Sequence, residues 1–98
     1  MDELQKEIVE WHKETFPNAT KKAIEDKLVE ECDELISATF FLTDDHVADE
    51  GADVVIVLCS LLDRMNLSLE TIVRRKLEIN KKRTWGKETS NGDRPRVK

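Results

Sequence analysis

The stretch "ADVVIVLCSLL", residues 52–62, decides the fold class of this chain. It is apolar nearly all the way round a helix, which is typical of a helix buried on every side. The sequence holds only three Gly and two Pro among 98 residues, so helices are favoured over a turn-rich β-sandwich or barrel. A helical domain this small can hardly surround one helix unaided. Part of this stretch is therefore expected at an interface between subunits.

Four helices are predicted along the chain. They cover, in order, about residues 2–15, 20–42, 47–65 and 69–82. Asp2 and Ser68 are the predicted N-caps of the first and fourth helices, and Asp44 or Asp45 is the candidate cap of the third. Residues 1–85 are expected to form one domain. Residues 86–98 are polar, hold two of the three Gly, and are typical of a flexible tail.

Several protein classes are excluded by simple features of the sequence. No apolar run reaches the roughly 18–20 residues of a membrane span, and the charged start "MDELQKEIVEW" is unlike a signal peptide. Cys32 and Cys59 form neither a CxxC site nor a disulfide framework, and are expected to be small core residues. A soluble protein of the cytoplasm, with no membrane partner, is the resulting expectation.

Charge is concentrated in two segments of opposite sign. Residues 25–34, "EDKLVEECDE", hold six acids and one lysine, and residues 74–83, "RRKLEINKKR", hold six bases and one acid. The two segments could pair with each other, or they could frame a ligand such as a metal–phosphate complex. A nucleic-acid partner is disfavoured, because the acidic segment would repel a long phosphate backbone.

Helical phase aims some of the acids inward. At 100° per residue, Glu31 falls within the stripe formed by Ile24, Leu28 and Leu35, and Glu34 falls on its edge. Glu50 and Asp53 share one face of the third helix. Four inward carboxylates on two helices could hold Mg²⁺ or Mn²⁺, which prefer oxygen ligands. The alternative is a solvated acidic face that forms salt bridges with the basic helix.

The core stripe of the fourth helix turns basic in its last two turns. Lys76, Asn80 and Arg83 lie in the same sector as Leu69 and Ile72. An inward Lys and Arg suit a triphosphate. The alternative is ordinary compensation of the helix dipole, which favours cations at the C-terminal end.

These motifs resemble those of a known family. "EECDE", residues 30–34, is followed after fifteen residues by "EGAD", residues 50–53, which is similar to the EExxE…ExxD pattern of the MazG-like all-α nucleoside triphosphate pyrophosphohydrolases. "KLEINKKR", residues 76–83, resembles the last helix of that family. "EWHKETFPNAT", residues 10–20, is similar to small members, many of them from phages, that hydrolyse dATP or dGTP.

The resemblance implies a four-helix MazG-like bundle that assembles as a homodimer or homotetramer. It implies an enzyme that converts a (d)NTP and water into a (d)NMP and pyrophosphate with Mg²⁺, or Mn²⁺ as a substitute. The implied metal ligands are Glu31, Glu34, Glu50 and Asp53. Glu30, Glu31 and Glu34 are the implied catalytic carboxylates, with Glu30 orienting water or a ligand.

Substrate contacts are assigned on the same basis. Lys76, Asn80 and Arg83 match positions that contact phosphate and nucleotide. Trp11 and Trp85 are possible stacking surfaces, and His12 or Asn80 could read the edge of a base. For Trp11 the alternative is plain core packing. Purine deoxynucleotides are the first choice of substrate. The rival predictions are dUTP, dCTP or a damaged nucleotide, and a non-catalytic helical oligomer that binds a protein partner.

Overall fold

The computed structural model of the protein describes residues 2–83, and these residues form four α-helices. The helices are α1 (Asp2–Thr15), α2 (Lys21–Phe41), α3 (Asp44–Arg64) and α4 (Leu69–Lys82). No strand occurs in this part of the chain, which confirms the predicted all-α fold. None of the four helices is long and apolar enough to cross a membrane. Trp85 and the tail at 86–98 lie outside the described residues.

The helix ends follow the capping residues of the sequence, with two corrections. The predicted N-cap Asp2 is instead the first residue of α1. Thr20 Oγ1 accepts a hydrogen bond from Ala23 N at 3.1 Å, and Ser68 Oγ caps α4 at Thr71 N. The predicted start of the third helix at about residue 47 is wrong, since α3 begins three residues earlier. Its N-cap is Thr43 rather than Asp44 or Asp45. Those two acids occupy the first turn, where the helix dipole favours negative charge.

α3 is the central helix of the described structure, because both α1 and α2 pack against it. α2 and α3 are joined by only two residues and lie against each other, as short connections require of neighbouring helices. α1 packs on α3, and α4 packs mainly on α1. The core is small and lies where α1, α3 and the start of α4 meet. It consists of Ile8, Cys59, Leu62 and Leu69, with Ile56, Leu58 and Ile72 packed against it.

A buried glutamine ties the turn between α3 and α4 to α1. Gln5 Nε2 donates to the Leu67 carbonyl at 3.0 Å and to the Cys59 carbonyl at 3.5 Å, and Gln5 Oε1 accepts from Leu69 N at 2.8 Å. The same turn contains Asn66 at φ 57°, a conformation that Asn adopts more easily than most residues. These bonds hold the first residue of α4, and the turn before it, against α1.

One chain leaves many apolar side chains exposed. The third helix is not fully covered within a single chain, because Val55 is 37% exposed and Val57 is only half-buried. The subunit interface expected to cover the rest stays a prediction. Other exposed apolar residues follow one face of α2 and one face of α4; they are Val29, Ile36, Phe40, Val73 and Leu77. Phe41, at the end of α2, is 83% exposed.

Candidate active site

Three carboxylates from two helices converge between α2 and α3. Glu31 lies on the face of α2 that meets α3, and Glu50 and Asp53 lie one helical turn apart on α3. One carboxylate oxygen from each of the three lies within 4.8 Å of the others. The helical phases therefore predicted this meeting correctly for these three residues.

Two oxygens of these carboxylates lack a hydrogen-bond partner among the described residues. Glu31 is 5% exposed, and Glu31 Oε1 is paired with Lys27 Nζ at 3.0 Å. Glu31 Oε2 and Glu50 Oε2 are both buried and have no hydrogen-bond partner among the described residues. A buried carboxylate oxygen without a partner is costly. An all-oxygen donor set of this kind fits a divalent cation such as Mg²⁺ or Mn²⁺.

The fourth predicted ligand lies beside the other three. Glu34 is exposed, and the negative charge of Glu31 raises the pKa of the Glu34 carboxyl, with further contributions from Glu50. Desolvation beside the other acids also raises this pKa, although the Glu34 side chain is exposed overall. Glu30 is also exposed and lies 3.6 Å from Lys27 Nζ, on the solvent side of the cluster.

An apolar cleft of about 430 Å³ adjoins the acidic group. Glu31 and Asp53 form part of its wall together with Lys27. The rest of the lining consists of Trp11, His12, Phe16, Ala19, Ala23, Ile24, Ile56 and Val57. A cleft of this size, with charged groups at one side and apolar walls elsewhere, is typical of sites for small organic ligands.

Aromatic rings line one side of the cleft. Trp11 and Phe16 meet edge to face with ring centroids 5.8 Å apart, and His12 lies 5.2 Å from Phe16. Trp11 is 50% exposed, so the core-packing alternative for this residue is wrong in the single chain. Partial burial, and secondarily the charge of Arg64, lower the pKa of His12. His12 is therefore a neutral imidazole at neutral pH.

Sequence reasoning missed two residues of the cleft. Phe16 lies in the stretch at residues 10–20 that resembles the family, but no role was predicted for its ring. Lys27 is the lysine of the acidic segment at residues 25–34, but no role in a site was predicted for it. Its position four residues before Glu31 was the available signal, since residues four apart on a helix are neighbours.

The basic residues of α4 lie away from this cleft. Lys76 is exposed, while Asn80 and Arg83 are half-buried and Arg83 Nη1 donates to Asn80 Oδ1 at 3.4 Å. None of the three lines the cleft of the same chain. α4 packs mainly on α1 rather than on α2, and the predicted contacts of these three residues with phosphate and nucleotide stay predictions.

An all-helical chain with facing EExxE and ExxD carboxylates has the architecture of the all-α nucleotide pyrophosphohydrolases. A family model described as phosphoribosyl-ATP pyrophosphohydrolase matches residues 1–80. The chain belongs to this family, which confirms the predicted MazG-like relationship.

Two individual relatives are similar over most of this chain. A dATP/dGTP diphosphohydrolase of Salmonella phage PMBT28 is 34% identical over 83 residues, which are 85% of this chain but only 27% of that protein. The chain thus spans about a quarter of that relative. A solved structure is a MazG-like pyrophosphohydrolase of cyanophage S-2L bound to dGDP and three catalytic Mn²⁺ ions per active site. It matches with a TM-score of 0.73 and 31% identity, covering 98% of this chain and 95% of the other.

Proposed function

We propose that this protein hydrolyses a (d)NTP to a (d)NMP and pyrophosphate in a metal-dependent reaction, with dATP and dGTP as preferred substrates. The observation that carries the proposal is the pair of buried, unpaired oxygens of Glu31 and Glu50 beside an aromatic cleft. The phage relative named for dATP and dGTP, and the cyanophage structure with dGDP and Mn²⁺, support the choice of substrate and ion.

The carboxylates are proposed to hold the ions. Glu31, Glu50 and Asp53 present converging oxygens, and Glu34 would join them from the exposed side. Bound Mg²⁺ or Mn²⁺ would offset charge on the phosphate oxygens and lower the pKa of a bound water. Glu30 lies on the solvent side of the group, where it is proposed to orient water or a ligand through a hydrogen bond. Mg²⁺ is the proposed resident ion, with Mn²⁺ as a substitute.

The cleft is proposed to receive the base. Trp11 and Phe16 offer ring surfaces, and base–aromatic stacking contributes roughly 1–3 kcal/mol per base. Neutral His12 can accept or donate one hydrogen bond at a base edge. A purine fills more of a cleft of about 430 Å³ than a pyrimidine does. Stacking alone discriminates weakly between bases, so dUTP, dCTP and damaged nucleotides remain rivals.

Phosphate binding by Lys76, Asn80 and Arg83 is proposed to occur across a homo-oligomer. The three residues do not line the cleft of their own chain, while α2 and α4 both expose apolar side chains. Burial of those side chains against a second copy would be favourable, and the acidic and basic segments would attract each other. A homodimer or homotetramer, working in the cytoplasm on free nucleotides, is therefore the proposed form.

The first experiment measures pyrophosphate release from the common NTPs and dNTPs and from phosphoribosyl-ATP. Each is tested with Mg²⁺, with Mn²⁺ and with EDTA. Release from dATP and dGTP that EDTA abolishes is the expected result. Preference for dUTP, dCTP or phosphoribosyl-ATP would support the proposed hydrolysis and contradict the proposed preference for dATP and dGTP. No release by folded protein that binds Mn²⁺ would favour the non-catalytic helical oligomer.

A mixing experiment tests the placement of α4. Glu50→Gln and Lys76→Ala variants should each be weakly active alone. The two variants are then refolded together so that they form mixed oligomers. Recovery of activity would mean that an active site combines the acids of one chain with Lys76 of another. No recovery in co-folded oligomers would contradict the arrangement across subunits.

A further inference from the structure

Lys27 has an unusual position among the cations of the protein. It is the one lysine or arginine among the described residues that line the cleft. Its Nζ lies 3.0 Å from Glu31 Oε1 and 3.6 Å from Glu30 Oε1. The Glu31 side chain is 6% exposed whereas the Lys27 side chain is 51% exposed. The ammonium thus reaches from solvent onto a buried carboxylate.

We propose that Lys27 is an exchangeable counter-ion, which pairs with Glu31 while the acidic centre holds no metal and is displaced when a divalent cation binds. The inference rests on the proposed metal site. Its basis is that Glu31, Glu50 and Asp53 bring three carboxylates together, and that Lys27 is the cation in contact with them in the described structure. A flexible, half-exposed lysine can leave this position without disturbing the helix.

Electrostatic repulsion makes the exchange necessary. An Mg²⁺ ion would lie about 2.0–2.1 Å from a carboxylate oxygen that binds it. An ammonium that stayed 3.0 Å from the same carboxylate would lie within a few ångströms of the ion. Like charges at such distances repel substantially even in a water-like medium. The two cations therefore compete for Glu31.

Glu30 provides the alternative partner for the displaced ammonium. Its carboxylate is exposed and already lies within 4 Å of Lys27 Nζ. A small rotation of the lysine side chain would exchange the buried partner for the exposed one. In that position Lys27 still lies at the cleft, next to the place proposed for the nucleotide. Metal binding would thereby release a positive charge at the substrate site.

The test is Mn²⁺ binding without nucleotide, followed through the electron paramagnetic resonance signal of free Mn²⁺. Lys27→Met keeps the apolar stem and removes the charge, so it should bind Mn²⁺ about tenfold more tightly than the wild type. Lys27→Arg should bind as the wild type does. The matched control is Lys22→Met, which removes a lysine of the same helix that pairs with Asp26 at 2.6 Å in an exposed position. This control should leave Mn²⁺ affinity unchanged.

Thermal unfolding in EDTA supplies a second readout. Lys27→Met should unfold at a lower temperature than Lys22→Met, because the buried Glu31 loses its counter-ion, and saturating Mn²⁺ should remove the difference. Lys27→Gln serves as a second variant if the methionine variant fails to fold. Wild-type Mn²⁺ binding with equal or weaker binding by the folded Lys27 variants would overturn this inference alone. No Mn²⁺ binding by the wild type would overturn the metal site and this inference together.

Discussion

Glu31 of α2 and Glu50 of α3 each bury one carboxylate oxygen without a hydrogen-bond partner among the described residues. Folding has therefore buried one negatively charged acceptor on each helix and left both acceptors without a hydrogen bond in the part of the chain that the structure describes. A buried carboxylate oxygen without a hydrogen-bond partner is unfavourable for stability, even though the other oxygen of Glu31 is paired with Lys27. A cation bound to these two oxygens would remove this cost and would therefore raise the stability of the folded protein.

Glu50→Gln should separate stability from function. The amide removes one negative charge and can donate to Glu31 Oε2, so unfolding in EDTA should require about 1 kcal/mol more than in the wild type. Mn²⁺ affinity and pyrophosphate release should fall, the latter by at least about 100-fold. Thermal unfolding with and without Mn²⁺, together with the release assay, checks both effects.

The matched control for this variant is Asp49→Asn, which alters an exposed acid next to Glu50 on the same helix. It should change neither Mn²⁺ affinity nor activity substantially. Equal losses in the two variants would mean that general negative charge, rather than the carboxylate of Glu50, attracts the ion.

Trp11→Ala should weaken nucleotide binding while the fold survives. Half of the Trp11 surface is already exposed, so truncation costs little packing. Loss of base stacking should raise KM about tenfold, with kcat nearly unchanged. Trp11→Phe retains a stacking surface and should stay close to the wild type. A fall in kcat with constant KM would place the base elsewhere.

Gln5→Leu should destabilise the protein more than its conservative volume suggests. The Leu67 carbonyl and Leu69 N would lose their partner at the start of α4, and an unsatisfied buried group costs about 1–3 kcal/mol. Urea unfolding measures the loss. Glu7→Leu, two positions away and exposed, should leave the free energy of unfolding nearly unchanged. Similar effects in both variants would assign the loss to surface hydrophobicity instead.

The sequence predicted the elements and the facing acids because both depend on local rules. Ser68 and Thr20 mark helix starts through their own side chains, and helical phase suffices to put Glu31, Glu50 and Asp53 on meeting faces. The packing partner of a given helix face depends on residues that are distant in the sequence or belong to another subunit. Helical phase gives the direction in which the basic face of α4 points, but it does not identify the helix or the subunit that this face meets.

Gln5 and Lys27 show a second limit of sequence reasoning. Both are polar residues at positions where the same residue type is ordinarily solvated. Gln5 is buried because the turn between α3 and α4 presents backbone groups that need partners. Lys27 is drawn to Glu31 by a buried charge on its own helix. For Gln5 the cause lies far away in the sequence, whereas for Lys27 the spacing to Glu31 was visible but the burial of Glu31 was not.

The last prediction concerns pH. Burial, with a smaller contribution from Arg64, holds the pKa of His12 below its ordinary value of 6.5. The folded state then binds fewer protons than the unfolded state, so stability rises with pH in this range. The contribution of neutral His12 to the stability of the folded state is fully present above pH 6.5. It is lost as the pH falls through the pKa of His12 in the folded protein. The stability difference between wild type and His12→Gln should therefore change in favour of the variant as the solution is acidified from pH 7 to pH 5.

Nuclear magnetic resonance titration of the His12 ring measures the pKa directly. Arg64→Met should move the pKa part of the way back towards 6.5, because partial burial, the larger cause, remains. A wild-type pKa at or above 6.5 would contradict the assignment. A neutral His12 at the mouth of the cleft also predicts that nucleotide affinity falls on acidification in the wild type, since protonation removes the acceptor nitrogen that a base edge could use. His12→Gln should lose that dependence.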